Sequence, residues 1–181
     1  MRFADFTWWA KNDLMTNQPS VLHRALSTNQ DRTLLAQRVA LGFIMFPHGA
    51  QKLLGWFGGY GWSGTMAFFT ETMHLPTPLA VLIIIAESLG AVGLVLGAGT
   101  RLAALGVVSV MLGAIFSTHL DVGFFMNWSG AQRGEGFEYH LLALALALPL
   151  VVRGGGARSV DGVLAARFPF GSFAVPQPSK A

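Results

Sequence analysis

The amino-acid sequence predicts an all-α integral membrane protein, a four-helix bundle with an interfacial N-terminal segment. Three observations lead there. Hydrophobic residues make up 52% and charged residues only 12% of the 181 positions, whereas a soluble domain carries about a quarter charged. The charge present is displaced outward, because Arg2, Lys11, Arg24, Arg32, Arg153, Arg158 and Arg167 flank a nearly charge-free interior. Four apolar segments divide that interior, at residues 34–54, 78–98, 101–120 and 136–152, with breaks rich in Gly, Pro or Trp between them.

Residues 1–33 mix aromatic, charged and polar types, and Phe3, Phe6, Trp8 and Trp9 can line one side of a short helix lying at a membrane interface. The opening MRFADFTWWAKNDL has neither an apolar h-region nor a small-residue cleavage site, so insertion is expected to rely on the first span. That span, LLAQRVALGFIMFPHGAQKLL, has the length of about 21 residues that crosses a core of roughly 30 Å. Arg38 and Lys52 lie near its ends, where long side chains can snorkel to headgroups. Pro47 is expected to bend it by freeing the Phe43 carbonyl, one residue before His48.

Residues 55–77 place Trp56, Phe57, Tyr60 and Trp62 among glycines, then TMAFFTETMHL as an amphipathic helix ending before Pro76. Such aromatics suit an interface. The second span follows Pro78 and is interrupted only by Glu87 and Ser88. Ala86, Gly90, Gly93 and Gly97 keep to one broad side of it, which lets a neighbouring backbone come close. A tight turn then makes the second and third spans an antiparallel hairpin. The loop DVGFFMNWSGAQRGEG leads to FEYHLLALALALPLVV, short for a span. Its Leu/Ala alternation imitates a strand, but an unpaired strand edge is untenable in lipid and no further segments could close a barrel. After Val152, residues 153–181 form a Gly- and Pro-rich tail with a short amphipathic stretch from Ser159 to Arg167.

One domain, residues 34–152, is therefore expected between the N-terminal segment and the tail. Basic residues in both tails and in the turn before Arg101 predict a multi-pass protein of the bacterial inner (cytoplasmic) membrane with both termini cytoplasmic. The formal charge of +3 reflects topology signals and headgroup contacts, not a nucleic-acid surface. With no Cys in the chain, disulfides, thiolate metal sites and cysteine nucleophiles are excluded. No nucleotide loop, hydrolase triad or HExxH is visible.

On this topology His48, Lys52, Glu87, His119, Glu138 and His140 fall in the outer half of the bundle, on four different helices. Charges near a bilayer centre are expensive and usually face a bundle interior or a wet cavity. His48 and Lys52, four apart, share a helix face, so Lys52 can pair with Glu87 or Glu138 while His48 exchanges protons or meets a quinone oxygen. The structural alternative is that Lys52 snorkels and the carboxylates only fix helix register. Glu138 and His140, two apart, point to different sides, and Glu138 is the better candidate for the interior. The site expected is a cluster of His48, Lys52, Glu87 and Glu138, with no metal centre. Haem is disfavoured, three scattered histidines being its only support.

FPHGAQKLLG (46–55), IAESLGAVGLVLG (85–97) and GFEYHLLALALAL (136–148), in that order across the spans, resemble the DoxX family of small membrane proteins. The resemblance covers about two thirds of the chain, leaving both tails outside it. Each string is only moderately specific, and their order and spacing carry the identification. The resemblance directs attention to His48, Gly49, Lys52, Glu87, Gly90 and Glu138. It implies a link to quinone and redox complexes, since the family name comes from membrane subunits of a thiosulfate:quinone oxidoreductase, although most members have no assigned activity.

The expected function is a membrane subunit of a larger complex, a quinone-linked oxidoreductase subunit that is not catalytic on its own. Quinone is the candidate cofactor, and lipids and other membrane subunits the expected partners. A non-catalytic structural or assembly subunit is the alternative. Transport of a small solute is less favoured, because four spans without an internal repeat make an incomplete transporter.

Overall fold

The computed structural model describes residues 21–167, with side chains from residue 24 onward. The N-terminal aromatic set and the last residues of the tail lie outside the described residues. Among those described the chain is all-helical: α1 (Val21–Leu26), α2 (Arg32–Leu54), α3 (Gly61–Ala67), α4 (Thr77–Leu96), α5 (Thr100–Ala114), α6 (Glu138–Arg153) and α7 (Val160–Arg167). A 3₁₀ turn, Trp56–Gly58, follows α2, and π-helical turns extend α3 over Phe68–Thr72 and α5 over Ile115–His119.

The helix ends follow from local chemistry. Asp31 caps α2 by accepting from the Thr33 N–H at 2.7 Å, and α2 runs through Pro47 to Gly55, whose φ of 74° closes it. Pro78 sits at the start of α4, where its missing N–H costs nothing. The helix expected over TMAFFTETMHL begins earlier, at Gly61, and gives way to the π turn.

The four long helices form a ring in which α2 packs on α4 and α6, and α5 on α4 and α6. Leu34, Leu41, Met45, Ala91, Leu94, Val107, Ala147 and Leu150 make up much of its core. A smaller cluster of Phe69, Ala80 and Ile84 seats the π turn after α3 against α4. Among the described residues two helices, Thr77–Leu96 and the continuous Thr100–His119, are long and apolar enough to cross a membrane. About a third or less of each is buried inside the protein, and Leu82, Leu89, Leu102 and Phe116 point outward. α2 has the length, at 23 residues, but carries Arg32, Arg38 and Lys52, and α6 has only 16 residues.

Two expectations are corrected at the end of the bundle that holds the α4–α5 turn. Arg38 does not snorkel. It is 2% exposed, and its guanidinium donates to the carbonyls of Gly155 (2.8 Å), Leu94 (3.0 Å), Val95 (2.5 Å), Ala157 (3.3 Å) and Arg158 (2.9 Å). Nor is all of the segment after Val152 separate from the bundle domain, for residues 154–157, Ser159 and Asp161 are buried against it. The cause is backbone chemistry: the N-cap position before α5 is Gly99, which has no side chain to cap it, and Asp161 supplies the cap from α7 through the N–H groups of Gly99 (2.7 Å) and Thr100 (2.8 Å). Gly97 (φ 69°) makes the turn, and a Cβ there would meet Ser159 Cα at 2.8 Å and Arg38 Cζ at 2.9 Å.

Candidate functional site

Glu87 stands halfway along α4 with its side chain 6% exposed, and Lys52, in the last turn of α2, reaches it at 2.6 Å from Nζ to Oε2. The Lys52 side chain keeps 25% exposure, so the pair is sealed on the Glu87 side and open on the other. A carboxylate surrounded by apolar helix is tolerable only with such a partner. The backbones beneath the pair are very close: Ser88 Oγ donates to the Gly49 carbonyl at 3.0 Å, and a Cβ at Gly49 would stand 2.5 Å from Ser88 Cα. Gly49 therefore sets the helix separation that lets Lys52 and Glu87 meet.

His48 is exposed on the bundle surface, within electrostatic reach of both Lys52 and Glu87. Its ring is 6.0 Å from that of Tyr139 on α6. Tyr139 was not among the residues singled out from sequence. It is half-buried, directs its hydroxyl at Met45 Sδ (3.8 Å) and lies within electrostatic reach of Glu87. A tyrosine in a first helical turn beside a Trp-bearing loop carries no sequence signal that separates it from an interfacial anchor.

Glu138 does not join this group among the contacts described. It opens α6 and accepts from Trp128 Nε1 at 3.3 Å, at the loop. The two-residue offset that sets Glu138 and His140 on different sides places His140, not Glu138, in the interior, where it is 8% exposed. The His140 ring lies 4.3 Å from His119, which the π turn at the end of α5 carries toward α6. His119 Nδ1 is 2.8 Å from the Glu135 carbonyl, whereas His140 Nδ1 is buried without a partner. Among the described residues no group of three His, Asp or Glu is placed to hold a metal ion.

The small residues expected to pack helices divide between two partners. Gly90 and Gly93 face Ala103, and Ala86 faces Gly106, all on α5, whereas Gly97 faces Ser159 and Arg38. The α2–α4 contact instead uses Gly42, against Ala91 and Val95, and Gly49. Chemically, the Lys52–Glu87 pair can exchange a proton or accept a hydrogen bond beside the aromatic and imidazole surface of His48 and Tyr139.

The family model described as DoxX matches residues 33–120, which include His48, Lys52 and Glu87 but stop short of Tyr139 and His140. A protein of Bacillus subtilis (strain 168) described as "Putative oxidoreductase CatD" is 31% identical over 116 residues, covering 64% of this chain and 76% of that relative. No solved structure matches the chain.

Proposed function

Starting from a chain that belongs to the DoxX family, we propose that it is a membrane-embedded subunit of a quinone-linked oxidoreductase complex. The Lys52–Glu87 pair is its ligand-facing polar site. Family membership and the two apolar helices support a membrane location and a relation to oxidoreductases. In this reading all four long helices cross the bacterial inner membrane, α2 and α6 aided by snorkelling at their basic ends, with both termini cytoplasmic.

The observation that carries the site is the asymmetry of the ion pair, in which Glu87 is buried and Lys52 is partly open beside His48 and Tyr139. A quinone head placed there would accept a hydrogen bond from the Lys52 ammonium, and Glu87 would be the adjacent proton carrier. The electron donor is another subunit. The test is purification from the native membrane in mild detergent, with quantification of bound quinone for the wild type, Glu87→Gln and Lys52→Met. Bound quinone lost in both variants supports the reading. Wild-type quinone content and quinone-reductase activity in a membrane carrying both substitutions would remove it.

A second reading has its own support, since the pair bridges α2 and α4 at their closest approach, beside the Ser88–Gly49 hydrogen bond. There the pair fixes helix register in a structural or assembly subunit. Recovery of a stable larger complex whose quinone content is indifferent to Lys52 and Glu87 would favour it.

A further inference from the structure

At the end of the bundle away from Lys52 and Glu87, the α1–α2 connection, the start of α5 and the end of α6 border an open, shallow cleft of about 330 Å³. Ser27, Thr28, Asn29, Arg101 and Arg153 line it. Arg101 donates through Nη1 to the carbonyls of Val151 (2.8 Å) and Val152, and through Nη2 to that of Ser27 (3.1 Å). These carbonyls fix the guanidinium plane without cancelling its charge, and Arg101 Nε is buried with no partner. Arg153 donates to Asp31 at 2.9 Å, and its side chain remains 52% exposed. Asp31 is in turn committed to the Thr33 N–H as the cap of α2. Two guanidinium groups therefore line the cleft with one carboxylate, already shared, to offset them.

Buried donors are nearly always satisfied, and Arg101 Nε, buried beside the cleft, is not. Guanidinium groups match tetrahedral oxyanions, which take several N–H donors at once. The position narrows the source. Arg101 is the second residue of α5, one of the two helices long and apolar enough to cross a membrane. The cleft thus lies where such a helix leaves the hydrocarbon, the level at which basic pockets between helices hold anionic headgroups. We propose that this cleft is a phosphate-binding site filled by an anionic phospholipid headgroup or by free phosphate.

The test uses the full chain in neutral detergent and compares retention of phosphatidylglycerol with that of phosphatidylcholine by native mass spectrometry. A parallel series contains inorganic phosphate as the added anion. The wild type is expected to prefer phosphatidylglycerol, and Arg153→Gln to weaken that retention about fivefold, the loss expected for one basic residue at a membrane surface. Arg101→Lys, which keeps the charge but loses the planar guanidinium, weakens it as well. Retention that inorganic phosphate cannot displace assigns the site to a lipid. Displacement by phosphate, with the same sensitivity to Arg153, assigns it to the free ion. Equal retention of both lipids together with no effect of phosphate overturns the proposal, as does wild-type retention in Arg153→Gln. Because Arg101 also ties down the end of α6, Arg153→Gln, which touches none of those carbonyls, keeps the test decisive if Arg101 variants fail to fold. Glu87→Gln leaves the preference unchanged, which separates this site from the quinone reading.

Discussion

Arg38→Met removes one side chain that holds three separate stretches of backbone together. The guanidinium gathers carbonyls from the end of α4 (Leu94, Val95) and from the segment after α6 (Gly155, Ala157, Arg158), while sitting on α2. At about 1.5–3 kcal/mol for each bond from a charged donor, five such bonds would total on the order of 10 kcal/mol. That sum is too large for two reasons. The Leu94 carbonyl also accepts from the Gly97 N–H at 3.2 Å, and burying the arginine itself costs several kcal/mol. Asp161, 2% exposed, loses the compensating charge when Arg38 goes, and removing one partner from a buried charged set costs about 3–5 kcal/mol. That is the expected loss. It is read as a lowered unfolding midpoint by tryptophan fluorescence in mixed mild-detergent and SDS micelles, with faster tryptic cleavage after Arg158. Arg38→Lys should fall between, because an ammonium has three donors and cannot reach all five carbonyls in one plane. An unchanged midpoint together with an unchanged cleavage rate in Arg38→Met would refute the assignment of this residue as the lock on the C-terminal segment.

Gly49→Ala puts a methyl group into the Glu87–Ser88 backbone, and overpacking of about 1–3 kcal/mol should lower the melting temperature and separate Lys52 from Glu87. Lys52→Met alone should destabilise more than Lys52→Met with Glu87→Gln, because only the single variant leaves an uncompensated carboxylate. The difference, measured by the same unfolding assay, should stay below about 3 kcal/mol given the partial exposure of the pair. Arg158, exposed and at φ 53°, occupies a conformation costing a side-chain-bearing residue about 1 kcal/mol, so Arg158→Gly is expected to raise the unfolding midpoint. The Asp31 carboxyl is held below the usual range, first by the Thr33 backbone hydrogen bond and further by Leu34 N–H and Arg153, against an opposing desolvation. Its stabilising effect is present above the unfolded value near 4 and lost as pH falls through the lower folded value. The acid-induced drop in stability below about pH 4 should therefore be smaller in Asp31→Asn than in the wild type.

The helices were legible because apolar runs bounded by Pro78, the 97–99 turn and the Trp-bearing loops leave little alternative in a chain with so few charges. Glu87 and Lys52 were legible for the same reason, as each is an exception within an apolar run. Arg38 was misjudged because its position near a span end permits either snorkelling or burial. The choice depends on carbonyls from residues 155–158, which are more than a hundred positions away. Asp161 had no signal at all: its role exists only because the N-cap of α5 is a glycine, a fact about another helix. The swap of Glu138 for His140 in the interior turns on where α6 starts, and a helix boundary is the least certain part of any pattern.

The two ends of the bundle use their charged groups differently, and this bears on where chemistry belongs. Around Arg38 and Asp161 the charged donors and acceptors are matched to backbone groups, a network suited to holding helices still. Toward the other end, Lys52 remains partly open, His140 Nδ1 lacks a partner, Phe57 sits at φ 52°, and π turns distort the ends of α3 and α5. Unmatched buried polar atoms occur at both ends, Thr100 Oγ1 and Arg101 Nε lying beside the Asp161 cap, so the distinguishing feature of the Lys52 end is its irregular helix, which in native proteins concentrates where a ligand or a motion completes a site. Within the frame that Arg38 locks, the half that includes Lys52, Glu87, His48, Tyr139 and His140 is therefore the one where a partly open ion pair sits among irregular helix ends. A ligand that satisfies Lys52 and Glu87 there would stabilise the fold in proportion to its occupancy, so quinone binding and thermal stability should rise together.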